Sequence, residues 1–148
     1  MNRNSQFSIL IVEDDPADQK LIKTSLEKQK VKTELKITSS AEEALDFLRR
    51  GADNSEGNSY PDLILLDLNM PGMGGREFLK QVKADEELKH ISVVILTSSN
   101  SEKDIVESYE LQAAGFVRKP VTLGELEQVA EVIQAYWFCL CRLPQKGY

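Results

Sequence analysis

One feature constrains this chain more than any other. Five short apolar runs recur from residue 7 onward, and each is followed by a helical pattern. FSILIV (7–12), ELKIT (34–38), DLILLDL (62–68), ISVVILT (91–97) and FVRK (116–119) have the length and β-branched content of strands. Strands separated by single helices require parallel pairing through right-handed crossovers. The first, third and fourth runs have near-continuous apolar stretches, as strands covered on both faces should. The expected fold is α/β, a doubly wound five-stranded parallel sheet with five helices.

Capping residues mark the helices. Asp15 caps the first, Pro16 takes its first helical position, and the pattern runs to about Gln29 with Ala17, Leu21, Ile22 and Leu26 at helical spacing. Ser40 and Glu43 form a capping box before Ala44, Leu45, Phe47 and Leu48, and Gly51 is placed to stop that helix. A third helix is expected near Gly75–Ala84. Ser101 with Asp104 opens the fourth, which Gly115 should end, and Thr122 with Glu125 opens a last helix running to about Leu140. The polar stretch GADNSEGNSYP (51–61) reads as an exposed loop too short to join two domains. One domain is expected over 1–148, with its core over 7–138, an aromatic extension over 136–148 and no output domain. A 148-residue chain that is 41% hydrophobic has enough apolar material for one such core.

Several function classes drop out. No window approaches the about eighteen apolar residues of a membrane span, and MNRNSQFS lacks the order of a secretory signal, so a cytoplasmic protein without membrane contact is expected. A net charge of −6, with Arg49-Arg50 the longest basic run, argues against a nucleic-acid partner. His90 is the only histidine, which weakens Ser-His-Asp catalysis and multi-histidine metal sites. Cys139 and Cys141 have no nearby His or further Cys to complete a metal site.

In doubly wound sheets ligands bind beyond the carboxyl ends of the strands, where strand order reverses. The first strand ends in Glu13-Asp14-Asp15, the second in Thr38-Ser39-Ser40, the third in Asp67, the fourth in Thr97-Ser98-Ser99 and the fifth in Lys119. Each has a plain alternative: acids favour a helix N-terminus, Thr97 could cap, and Lys119 could be a surface lysine. Taken together, acids from neighbouring strands repel unless a cation joins them, and oxygen-only ligands suit Mg²⁺. A hydroxyl and an ammonium opposite would receive phosphoryl oxygens.

ILIVEDDP, LILLDLNMPGMGG, VVILTSS and FVRKP, in this order, resemble the receiver domain of two-component response regulators, from residue 7 to about 138. The resemblance implies the flavodoxin-like receiver fold, with strand order 2-1-3-4-5. It implies that Asp67 accepts a phosphoryl group from a sensor histidine kinase, and that Asp14, Asp67 and the Asn69 carbonyl bind Mg²⁺ directly while Glu13 acts through water. Mn²⁺ or Ca²⁺ could substitute in vitro. Thr97 and Lys119 would hold phosphoryl oxygens, Lys119-Pro120 would be a cis peptide, and Phe116 would move with Thr97 as a switch. Many members carry Tyr at that position, and Phe keeps only its steric part.

Such a domain would catalyse only its own phosphorylation and dephosphorylation. An interaction module without phosphoryl chemistry should have lost Asp67, Thr97, Lys119 or the acid pair, and all are present. An aspartate-nucleophile phosphohydrolase would want an acid at Asn69. A nucleotide- or flavin-binding relative would want a glycine-rich loop where EDDPAD stands. Output would then be a protein contact with a target the sequence does not identify. AYWFCLCRLP near the C-terminus makes Tyr136, Trp137, Phe138 and Leu140 candidates for a homodimer interface. That ending and the longer loop before the third strand resemble single-domain regulators paired with cyanobacterial phytochromes, which implies a phytochrome-type kinase.

Overall fold

The computed structural model describes residues 7–52, 60–99, 101–141 and 143. Elements alternate in the order β1 (Phe7–Val12), α1 (Pro16–Glu27), β2 (Thr33–Thr38), α2 (Ala41–Ala52), β3 (Leu63–Leu66), α3 (Gly74–Ala84), β4 (Ser92–Thr97), α4 (Glu102–Glu110), β5 (Gly115–Arg118) and α5 (Leu123–Gln134). A π-helical segment, Ala135–Leu140, continues α5. All strands pair in parallel, in the order β2-β1-β3-β4-β5.

The three central strands explain their own composition. Successive side chains point to opposite faces, so Leu10, Val12, Ile64, Leu66, Val93 and Ile95 enter one apolar layer with Phe78, Leu79 and Leu48 of α3 and α2. Ile9, Ile11, Leu63, Leu65, Val94 and Leu96 enter the other, with Ile22, Leu26, Leu126 and Ile133 of α1 and α5. The edge strand β2 alternates between half-buried and exposed residues along most of its length.

Several expectations about the elements need correction. Asp15 stands at the N-cap of α1 with an extended backbone, but its side chain makes no capping bond. Its backbone N–H instead donates to Glu13 Oε2 at 3.1 Å. Ala17 and Leu21 face solvent, because only the Ile22–Leu26 side of α1 meets the sheet. Gly51 is buried within α2, which continues to Ala52, so the glycine serves packing there and not termination. Most of the expected loop over 51–61 lies outside the described residues, and Tyr60 and Pro61 at its end are buried. Gln112, with φ of 76°, turns the chain after α4, while Gly115 already belongs to β5. The capping pairs hold at Ser40–Glu43, Ser101–Asp104 and Thr122–Glu125.

Candidate functional site

Register brings the acids together. Val12 pairs with Leu66 across β1 and β3, so the next residue of each strand, Glu13 and Asp67, emerges side by side. The ladder runs one step past the strands: Asp67 N–H donates to the Val12 carbonyl at 3.0 Å, and Glu13 N–H to the Thr38 carbonyl at 3.1 Å. On the far side Lys119 N–H donates to the Thr97 carbonyl at 2.7 Å, which sets the exit of β5 against that of β4.

The turn after β3 depends on glycine. Gly72 and Gly74 have φ of 77° and 80°, in the left-handed region. Gly75 lies so close to the phosphoacceptor candidate that a Cβ there would stand 2.5 Å from the Asp67 carbonyl oxygen and 2.7 Å from Leu68 Cα. Its N–H donates to the Leu68 carbonyl at 3.2 Å, which folds the start of α3 back over the end of β3. Asn69 is exposed above this turn, and its N–H donates to Asp67 Oδ1 at 3.3 Å.

Ligand oxygens of Glu13, Asp14 and Asp67 all lie within 4.8 Å of one another. Glu13 is 2% exposed, and its carboxyl is pushed up to about 7. Burial is the main cause and the Asp67 charge adds to it, against the lowering pull of Lys119 and the Asp15 N–H. Three crowded carboxylates, one held against ionisation, form an oxygen-only donor set whose repulsion a hard divalent cation would relieve. The residues present therefore fit Mg²⁺ and its relatives.

Lys119 closes the opposite side. Its ammonium donates to Glu13 Oε1 at 2.7 Å and to Asp18 Oδ2 at 2.8 Å, and lies 3.9 Å from Asp67 Oδ2. Burial lowers its pKa, yet the Asp18 and Glu13 carboxylates outweigh that and hold it above its ordinary value. Thr97 is fully buried, and its hydroxyl oxygen accepts long bonds of 3.4 Å from Asn69 Nδ2 and the Ser99 N–H. Phe116 of β5 is half-buried against the α2/α3 layer. No cis peptide occurs among the described residues, so Lys119-Pro120 is trans, contrary to expectation. The trans form is the more favourable X-Pro isomer by about 0.5–1 kcal/mol, and it leaves Lys119 able to reach the acids.

The structure thus brings Glu13, Asp14, Asp67, Asn69, Thr97 and Lys119 to one edge. It also adds residues that sequence reasoning missed. Asp18 joins because α1 starts at Pro16, which puts Asp18 in the first helical turn beside the edge; an acid directly after EDDPA was the available signal. Arg76 of α3 ion-pairs with Asp104 and, at 3.0 Å, with Glu107 of α4, while Ser99 donates its hydroxyl to Asp104. This cluster ties the β4–α4 connection to α3.

The aromatic end behaves differently from expectation. Phe138 is 8% exposed and stacks on Phe7 with ring centroids 4.4 Å apart, so it is taken up by the core and not presented to a partner. The reason is phase: Phe138 follows Ala130, Ile133 and Gln134 on the inward row. Trp137 is half-buried, Tyr136 is exposed, and the Leu140 side chain lies outside the described residues. His90 is exposed, edge-on to Tyr60. No helix among the described residues is long and apolar enough to cross a membrane.

Known proteins resemble this arrangement closely. The response regulator receiver domain matches residues 9–131. The response regulator Rcp1 of Synechocystis sp. is 38% identical over 136 residues, which cover 92% of each chain. The crystal structure of the phosphorylated cyanobacterial phytochrome response regulator RcpA superposes with a TM-score of 0.87 at 38% identity, covering 95% of this chain and 100% of that one. The Mn²⁺-bound form of Rcp1 superposes at 0.83 with 36% identity, over 94% and 99% of the two chains.

Proposed function

The chain belongs to the response regulator receiver domain family, and from that premise we propose that Asp67 accepts a phosphoryl group from a sensor histidine kinase. The observation that carries this reading is the meeting of Asp67 with the Glu13–Asp14 pair and Lys119 at one sheet edge. In transfer, an Asp67 carboxylate oxygen forms a bond to phosphorus while the bond from phosphorus to the donor imidazole nitrogen breaks, and its electron pair leaves with the histidine. Water later attacks the same phosphorus, and the carboxylate is released with inorganic phosphate.

Asp14, Asp67 and the Asn69 carbonyl, with Glu13 beside them, would hold Mg²⁺. That ion supplies charge neutralisation for the transferring group. Thr97 and Lys119 supply the hydroxyl and ammonium that orient phosphoryl oxygens. Phosphorylation adds about −1.5 to −2 charge, drawing on Thr97 and, through the adjacent strand, on Phe116. Chemistry is confined to the protein's own carboxylate.

Similarity to a cyanobacterial phytochrome response regulator supports a phytochrome-type, light-regulated kinase as donor, and a cytoplasmic domain acting beside that kinase fits this reading. Output is a changed protein contact, most simply with a second copy of this chain. Val121 is 92% exposed, Val132 65% and Tyr136 49%, and a groove of about 700 Å³ runs between β5 and α5 to Trp137. These features favour an apolar contact there.

Acetyl phosphate with Mg²⁺ should add one phosphoryl group to the protein, and Asp67→Asn should abolish the labelling. Undiminished labelling of that variant would remove the assignment. Val132→Glu should lower the dimer fraction in sedimentation, and an unchanged oligomer would place the contact elsewhere.

A further inference from the structure

Lys119 has three ammonium N–H bonds to direct, and two of them are committed. They point to Glu13 and Asp18 at 2.7 and 2.8 Å, whereas Asp67 at 3.9 Å is beyond hydrogen-bond reach. The third N–H is left for an acceptor on Asp67, but the ammonium stands 3.9 Å from that carboxylate, so drawing it toward a phosphoryl oxygen there stretches the bonds to its present partners. The two partners differ in what losing such a bond would cost. The Glu13 side chain is 2% exposed, so a hydrogen bond lost there cannot be replaced by water. The Asp18 side chain is 31% exposed, so water can replace the lysine at small cost. Among the described residues, Asp18 is also absent from the carboxylates that gather around Asp67. It competes for the lysine without belonging to the cation site.

We propose that Asp18 is a positioning residue for Lys119: it holds the ammonium toward α1 while Asp67 is unmodified and releases it when a phosphoryl group arrives. This rests on Asp67 being the phosphoacceptor. A phosphoryl group offers three acceptor oxygens and about two negative charges against one half-exposed carboxylate, so it wins the lysine. Asp18 nevertheless opposes the change, and its charge sets how readily the site takes up a phosphoryl group. The start of α1 does not depend on this contact. Gln19 Nε2 donates to the Glu13 carbonyl and to Ser39 Oγ, and Gln19 N–H donates to the Asp15 carbonyl.

The test uses beryllofluoride with Mg²⁺ as a phosphoryl mimic, titrated calorimetrically into the wild type, Asp18→Asn and Asp18→Glu. Asp18→Asn should bind beryllofluoride about three- to fivefold more tightly, as loss of one partly exposed charged pair implies. Its affinity for Mg²⁺ alone should change less than about twofold, since Asp18 lies outside the cation site. Asp18→Glu restores the charge and should return binding toward the wild-type value. In ¹⁵N NMR the Lys119 ammonium signal of free Asp18→Asn should already lie toward its beryllofluoride-bound position. Binding that is unchanged or weaker in Asp18→Asn overturns the proposal. So does tighter binding with the Lys119 signal unmoved, which would be a general field effect. A wild-type protein that binds no beryllofluoride would instead overturn the phosphoacceptor reading.

Discussion

At the carboxyl edge of the sheet, Glu13, Asp67 and Thr97 are buried polar groups; along the last helix, Val132 and Tyr136 are exposed apolar ones. The two regions invert the usual division of residues, and they do so for different reasons. The edge is placed by register. Once β1, β3 and β4 pair in parallel, the residue after each strand has almost no freedom of position, and neighbouring backbone bonds pin it. The helix end is placed by phase, where a small change in winding decides which side chain turns inward. The Cys141 N–H donates to the Tyr136 carbonyl, five residues back, and the rows of exposed and buried side chains along this segment depend on that winding.

The contrast can be broken most directly at its buried aromatic. Phe138→Ala removes a ring stacked on Phe7 and should destabilise the fold by about 3 kcal/mol, read as a lower urea midpoint with unchanged slope. Tyr136→Ala, at an exposed position, should cost less than about 1 kcal/mol by the same measurement. Equal losses would mean that phase does not separate the two rings.

At the edge the corresponding lesion is Gly75→Ala. The added methyl would meet backbone atoms of Asp67 and Leu68, which cannot swing aside as a side chain can. A loss of about 2 kcal/mol is expected, together with slower labelling by acetyl phosphate. A wild-type labelling rate would show that the turn has slack there.

Magnesium sharpens the comparison further. The acid cluster belongs to the folded state, so Mg²⁺ at ten times its dissociation constant should stabilise the protein by about 1.4 kcal/mol. Chelation should reverse the gain, and Asp14→Asn should remove most of it. A stabilisation that survives that substitution would place the ion away from the edge.

The same distinction between register and phase explains what could be read without coordinates. The strand ends Glu13, Asp14, Asp67, Thr97 and Lys119 were legible because apolar runs have visible ends and topology does the rest. The order of the sheet followed from the resemblance in those motifs. Asp18 was missed although an acid does follow EDDPA, because its relevance depends on the first turn of α1 leaning over the edge. Gly51 and Gly115 misled for a shared reason: a glycine can end a helix, but it can also pack inside one or start a strand. Phe138 was misread because counting aromatics ignores which of them continue the inward row of α5.

The smallest expected effect concerns the cluster that links α3 to α4 beside the site. Asp104 is held below its ordinary value of 3.8, first by the Ser99 hydroxyl and also by Arg76, against an opposing contribution from burial. Because the folded protein binds this proton more weakly than the unfolded chain, the stabilisation is complete above the ordinary value. It is lost as pH falls through the lower folded value. Urea midpoints should therefore fall between pH 4 and lower values more steeply in the wild type than in Ser99→Ala, which lacks the hydroxyl that contributes most. Parallel curves would show that Ser99 does not hold the Asp104 carboxylate in solution. Among the described residues, the tie from this cluster to α3 would then rest on Arg76, and the edge would have one neighbour fewer through which a change at Thr97 reaches α4.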